Sequence, residues 1–246
     1  MLINETIEKL KSMRLPGFVE ALEEQNEFSS FQELSFEERL GLLVDREFSK
    51  RKSNRIQRLI QQAKFQNPTA CIENIHYGAE RKINKQLVLE LASGQYIRHA
   101  RNVNIFGATG AGKSYLGQAL GQCACRTGIA TRYIQLPDLL DECKMAREKS
   151  TEALTKLRKY FANIPLLIID EWLLFKIDET DCQNLLQIID RRSARRSTIV
   201  ISQFSSDEWI SQMPIQVAAE AITDRLTSQA FEIILHSKES MRNQSL

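Results

Sequence analysis

Eight consecutive residues, Gly107-Ala108-Thr109-Gly110-Ala111-Gly112-Lys113-Ser114, have the types and spacing of a phosphate-binding loop. Glycines let the backbone bend so that successive N–H groups point at one anion. A helix that starts directly after such a loop adds its positive N-terminal end. In that setting Lys113 reaches the β- and γ-phosphates of a nucleotide such as ATP, and the Ser114 hydroxyl ligates magnesium. The flanks agree: Val103-Asn104-Ile105-Phe106 reads as an apolar strand and the residues after the loop as an amphipathic helix. A glycine-rich turn that binds nothing has no need of Lys-Ser in that register.

A second segment completes the chemistry. Leu166-Leu167-Ile168-Ile169 ends in Asp170-Glu171, an apolar strand closing on two acids, the Walker B pattern. Asp170 would hold magnesium through water, and Glu171 would orient or deprotonate an attacking water. A hydrolase needs that base, whereas a small-molecule kinase must keep water out. Thr198-Ile199-Val200-Ile201 ends in Ser202-Gln203, which would set one or the other beside the γ-phosphate. Arg225 could be a finger offered to a neighbouring subunit's nucleotide, and Arg242 could reach its own γ-phosphate. Each arginine, taken alone, also reads as a surface residue.

These residues need a scaffold that brings distant segments together. Candidate strands are 103–106, 131–135, 166–169, 198–201 and 231–235; helices fit at 113–126, 137–148, 151–161, 180–192 and 218–226. Such alternation predicts a mostly parallel sheet flanked by helices. The stretch before it is helical throughout. Leu2, Ile7, Leu10 and Met13 recur at helical spacing, Pro16-Gly17 interrupts, and a second helix follows over 17–25. Ser35 reads as an N-cap with Glu37 and Glu38 in the first turn, and Leu40, Leu43, Val44, Phe48, Ile56, Leu59 and Ile60 continue an apolar stripe. Asn67-Pro68-Thr69 is the linker, which gives a helical module over 1–67 and an α/β domain over 68–246.

The composition is that of a globular chain: 246 residues, 43% hydrophobic, 26% charged, net charge +2. Five cysteines with no CxxC pair favour reduced, packed thiols over zinc. The first residues lack an apolar signal-peptide core, and no stretch reaches the roughly 18 apolar residues of a spanning helix. The expectation is a cytoplasmic protein without a membrane partner.

GATGAGKS, LLIIDEW, VISQF and AITDRL occur in the order and spacing of AAA+ ATPases of the helicase-loader branch. With Leu10-Lys11-Ser12-Met13-Arg14-Leu15-Pro16-Gly17, Leu34-Ser35-Phe36-Glu37-Glu38-Arg39-Leu40 and Arg46-Glu47 ahead of them, the whole chain resembles the IstB family of transposition helper ATPases more than DnaC-like loaders. The resemblance implies a P-loop AAA+ fold, ATP and magnesium as cofactors, and Gln203 as sensor I. It implies Arg225 as the finger and Arg242 as sensor II. It implies a homo-oligomer on double-stranded DNA that assists the transposase of its element in target selection. The rival readings are a replicative helicase loader and a DNA-binding scaffold that uses ATP for assembly with little turnover. Two features depart from the pattern: Trp172 stands where small or polar residues are commoner, and little chain follows the last strand, so little or no helical lid is expected.

Three basic clusters are candidates for DNA. Lys50, Arg51, Lys52, Arg55 and Arg58 form a stripe on a helix, suited to phosphate contacts without base reading. Lys144, Arg147 and Lys149 lie between two helices where, by the resemblance, an extra insertion faces DNA. The run Arg191-Arg192-Ser193-Ala194-Arg195-Arg196 could touch DNA or a neighbour's phosphates.

Overall fold

Proline cannot continue a helix but fits the first position of a new one, and at Pro16 the chain does start again. A computed structural model describes residues 2–77 and 83–236, with side chains from Asn4 onward. Helix α1 spans Leu2–Ser12, α2 spans Pro16–Glu27 and α3 spans Phe36–Ala63. Ser35 caps α3: its hydroxyl accepts the Glu38 N–H at 3.3 Å, while the Glu38 carboxylate accepts the Ser35 N–H at 2.8 Å. The apolar stripe expected along α3 turns inward only in part. Leu43 is buried, but Leu40, Val44 and Phe48 are exposed. The cause is Glu47, one turn beyond Leu43. It is buried and accepts the Gly17 and Phe18 N–H groups at 2.7 and 3.1 Å. These are unpaired first-turn donors of α2, where a carboxylate also meets the positive end of the helix. With Leu43 and Glu47 facing α2, helical geometry carries Val44 and Phe48 to another face.

The chain packs as two compact units, Met1–Arg58 and Leu59–Leu246. In the second, α4 (Lys85–Ala92) and α5 (Gln95–Arg98) precede the sheet; the sequence pattern predicts neither. Then follow β1 (Val103–Gly107), α6 (Lys113–Arg126), β2 (Thr131–Gln135), α7 (Leu136–Lys149), α8 (Thr151–Asn163) and β3 (Leu166–Asp170). The remainder is α9 (Glu179–Arg192), β4 (Ser197–Ser202), α10 (Ser206–Trp209), α11 (Gln216–Thr227) and β5 (Phe231–Leu235). The strands lie in the order β2-β3-β4-β1-β5, and each neighbouring pair is parallel. Both faces are covered, as a parallel sheet requires. Side chains alternate between two cores: Leu166, Ile168, Ile199 and Ile201 pack with Leu116 and Leu120 of α6, whereas Leu167, Ile169 and Val200 pack with Leu139, Leu185 and Ile188 of α7 and α9.

One residue of the arginine-rich run belongs to this core. Arg192 is 1% exposed, and its guanidinium is used on all sides. Nε donates to Thr198 Oγ1 at 2.9 Å, Nη1 to the carbonyls of Phe161 and Ile164 at 2.6 and 2.8 Å, and Nη2 to the Ser197 carbonyl. It thereby welds the end of α8 and the entry to β3 onto the start of β4. Burial, then Arg196, pulls this guanidinium below its ordinary value. Arg192→Leu strands several buried carbonyls, so we predict a loss of about 3–5 kcal/mol in urea unfolding. Arg192→Lys should recover little of it, because one ammonium cannot span the fork. Unfolding curves that superpose on wild type would show that these carbonyls find other partners.

Candidate functional site

Parallel strands all end at one edge, and here β4 lies between β1 and β3. Neighbouring strands are about 4.8 Å apart, so the ends of β1 and β3 stand roughly 10 Å apart, with the end of β4 between them. The residues expected to do chemistry follow those three ends. Thr109, Gly110, Lys113, Ser114, Asp170, Glu171 and Gln203 line one cleft with Trp172, Leu174 and Ile201.

The loop between β1 and α6 is shaped by glycine. Gly107 has φ +148°, and a Cβ there would meet the Leu235 carbonyl oxygen of β5 at 2.4 Å. Gly110 and Gly112 take φ +79° and +86°, conformations that cost glycine nothing. Ala111 is buried and its N–H bonds the Ala108 carbonyl at 3.2 Å. Lys113 opens α6; its ammonium donates to the Gly107 and Ala108 carbonyls at 2.7 and 2.9 Å. Burial pulls the Lys113 pKa down, and Asp170 pulls it up. Across the cleft, the Thr109 hydroxyl donates to Gln203 Oε1 at 2.9 Å. Of the polar pair that ends β4, only Gln203 faces the loop. The Ser202 hydroxyl donates to the Trp172 carbonyl and accepts from the Trp209 indole N–H, both at 3.1 Å, inside the core.

Asp170 is 3% exposed and held on both oxygens. Oδ1 accepts the Glu171 N–H at 2.8 Å, and Oδ2 accepts the Tyr133 hydroxyl at 2.7 Å. Tyr133, on β2, is a partner of Asp170 that the sequence pattern does not reveal. Burial raises its pKa, and the Asp170 charge raises it further, so the hydroxyl keeps its proton and serves as a donor. Gln66 Oε1 lies 3.2 Å from the same oxygen. Glu171 has φ +54°, a left-handed conformation that costs a non-glycine residue about 1–2 kcal/mol. The turn is fixed from both sides: the Trp172 N–H bonds the Ile201 carbonyl at 2.9 Å, and the buried Trp172 ring packs edge-on against Trp209 at 5.7 Å. Trp172 is therefore a core anchor that holds Glu171 over the cleft. Main-chain donors, an ammonium, a hydroxyl and a carboxylate form a set suited to a triphosphate with magnesium, a hard cation that prefers oxygen. Ser114 and Asp170 are the residues that could hold the metal.

Arg225 lies elsewhere. Its carbonyl accepts the Asn102 side-chain amide at 2.9 Å, just before β1 begins, and so a strand length of roughly 16 Å from the loop at the other end of β1. Its guanidinium bonds Asp190 Oδ1 on α9 at 2.8 and 3.0 Å and the Ala221 carbonyl at 2.8 Å. Arg242 falls outside the described residues. In the helical module, Lys50 pairs with Glu20; Arg51 pairs with Glu47 at 2.5 Å and donates to the Arg14 carbonyl at 2.8 Å. Lys52, Arg55 and Arg58 are exposed, as are Lys144, Arg147 and Lys149 on α7.

The family described as "IstB-like ATP binding protein" matches residues 8–246. An ATP-binding protein of insertion sequence IS1162 from Pseudomonas fluorescens is 38% identical over 206 residues, covering 84% of this chain and 88% of its own. The insertion-sequence ATP-binding protein y4pL of Sinorhizobium fredii is 34% identical over 244 residues, covering 99% and 98%. Among solved structures, AMPPCP-bound DnaA from Aquifex aeolicus superposes with a TM-score of 0.59 at 17% identity, over 73% of this chain and 54% of that one. The DnaC helicase loader gives 0.55 at 17% identity, over 68% and 96%. At that identity the likeness is one of fold, the AAA+ P-loop architecture.

The double grip on Asp170 yields a test. Tyr133→Phe removes one hydroxyl and leaves the ring. We predict that half-saturating magnesium for nucleotide turnover rises about tenfold, as happens when an outer partner of a metal ligand is removed, while metal-free nucleotide binding is unchanged. An unaltered magnesium dependence would mean that Tyr133 merely fills space.

Proposed function

The chain belongs to the family of IstB-like ATP binding proteins, and from that premise we propose that it is a magnesium-dependent ATPase that assembles on duplex DNA with ATP bound and helps the transposase of the same element select or capture its target. The observation that supports turnover most is Glu171, held in a left-handed turn over the cleft that Lys113, Ser114 and Gln203 line. The N–H groups of 107–112 and the Lys113 ammonium bind and neutralise the phosphates. Glu171 takes the proton of the attacking water, and Gln203, steadied by Thr109, orients the γ-phosphate. Ser114 and Asp170 would hold magnesium, which would supply charge neutralisation during phosphoryl transfer.

Arg225 sits too far from its own loop to act there; a finger role on a neighbour's nucleotide in a homo-oligomer follows from the family resemblance and requires its pairing with Asp190 to open. The helical module of 1–67 would offer Lys52, Arg55 and Arg58 to the DNA backbone, with Lys144, Arg147 and Lys149 as a second group; Lys50 and Arg51 are largely occupied within their own unit.

Glu171→Gln keeps shape and removes the base. We predict ATP binding within about twofold of wild type and hydrolysis reduced by about 10²-fold or more, with the protein retained on DNA; near-normal turnover would place the base elsewhere. DNA binding should be ATP-dependent, nearly indifferent to sequence and steeply salt-dependent, with a log–log slope of about −0.9 per neutralised phosphate. Replacing Lys52, Arg55 and Arg58 with Ala should weaken all duplexes alike and flatten that slope in fluorescence anisotropy. Binding that ignores ATP would defeat coupled assembly, and capture of a hexameric helicase instead of the transposase would defeat the transposition reading.

A further inference from the structure

The arginine-rich run before β4 is not absorbed by the ATPase reading. With Arg192 buried, the others are brought beside α8: Lys159, Ala162, Asn163, Arg191, Arg195 and Arg196 line one concave patch. Lys159, Arg191, Arg195 and Arg196 are all exposed. Among the described residues none of the four is paired with a carboxylate, a property shared with Lys52, Arg55, Arg58, Lys144, Arg147 and Lys149 but not with Lys50 or Arg51.

We propose that this patch binds the phosphodiester backbone of duplex DNA, as a surface separate from the nucleotide cleft; the proposal rests on the reading of the chain as a DNA-binding ATPase. Its position makes it separate. Asn163 precedes β3 and Arg196 immediately precedes β4, so the patch lies where strands begin, a strand length of roughly 16 Å from the edge where Asp170 and Gln203 stand. Its shape is preset. Arg192 ties the end of α8 to the start of β4, and Arg196 Nε donates to the Asn163 carbonyl at 3.2 Å, so both basic segments are held together before any ligand arrives.

Four like charges held this close repel one another, and a polyanion relieves that repulsion. The chemistry favours nucleic acid over an acidic protein: three guanidinium forks suit phosphate oxygens, while the lining has no aromatic or large aliphatic anchor of the kind that carries protein interfaces. It also favours a polymer over a neighbour's nucleotide, since four cations spread over two elements exceed what one terminal phosphate can occupy.

The test is fluorescence anisotropy of the full chain with ATP on a labelled duplex of arbitrary sequence, comparing wild type with Lys159→Ala/Arg191→Ala/Arg195→Ala. Arg192 and Arg196 stay because they bond the backbone. The expected result is a Kd raised about tenfold or more at moderate salt, with a salt slope shallower by about 0.9 for each phosphate no longer neutralised, and unchanged ATP binding. Equal affinity and slope in wild type and variant overturn the patch alone. A wild type that does not bind duplex overturns the patch and the DNA reading together. Unchanged DNA binding with abolished oligomer-dependent turnover assigns the patch to a neighbour's nucleotide, and unchanged DNA binding with abolished transposase capture assigns it to a protein; either overturns the proposal. Should the triple variant fold poorly, two measurements stand in. Arg195→Glu inverts one exposed charge whose side chain makes no hydrogen bond among the described residues, and should still weaken binding. In the wild type, duplex DNA should protect the Lys159 amine from acylation; absence of protection counts against the proposal.

Discussion

A parallel sheet gives a domain a direction: every strand ends at one edge and begins at the other. In this chain that polarity governs where each polar group can work. The order β2-β3-β4-β1-β5 sets the end of β4 between the glycine loop and Asp170, so Gln203 can bond Thr109 on one side while Glu171 stands on the other. The opposite edge collects cations instead: Arg225, buried Arg192 and the patch around Arg195. The cleft at one edge and these cations at the other are thus held apart by the length of a strand.

Ionic contacts in the molecule differ greatly in what they can do. Lys9–Glu5 and Lys156–Glu152 join exposed side chains one turn apart, and such pairs contribute about 0–1 kcal/mol. Glu47, Arg192 and Asp170 are nearly without solvent access. For each, burial is tolerable only because donors or acceptors surround it: two main-chain N–H groups and Arg51 at Glu47, three carbonyls and a hydroxyl at Arg192, a main-chain N–H and a tyrosine hydroxyl at Asp170. At Glu47, burial pushes the carboxyl up, yet Arg51 and the N–H groups of Phe18 and Gly17 leave it below the usual range. These three residues fix geometry: one docks α2 on α3, one joins two strand entries, and one ties the end of β3 to Tyr133 of β2 beside the cleft.

Much of this was legible from the amino acids. Uninterrupted apolar runs mark buried parallel strands, so Leu166–Ile169 and Thr198–Ile201 announced themselves, and the glycine loop located the cleft. What escaped did so for physical reasons. Tyr133 reads as an ordinary strand aromatic; only the alignment of β2 with β3, Tyr133 opposite Ile168, brings its hydroxyl to Asp170. Arg192 sits among exposed arginines, and nothing local tells which one faces inward. Lys50 looked available because its partner Glu20 is far away along the chain; Arg51 did so because nothing local shows that Glu47, one turn before it, faces inward, or that the distant Arg14 carbonyl comes near. Helix α4, with Val88 and Leu91 buried against the second core, is short and follows a linker, so its periodicity had too few repeats to stand out.

The contact between Gly107 and Leu235 has a consequence for how the molecule is made. The first strand of the sheet lies between two others, and the floor beneath the glycine loop comes from a strand more than a hundred positions downstream. During synthesis the loop therefore emerges early without the neighbour that limits its backbone, and β1 waits with both edges unpaired until β4 and β5 arrive. Pairings of such long sequence separation are slow to close, and an unpaired apolar strand is exposed to wrong partners meanwhile. However early the glycine loop is made, its backbone gains its limiting neighbour only when β5 has been made and paired with β1.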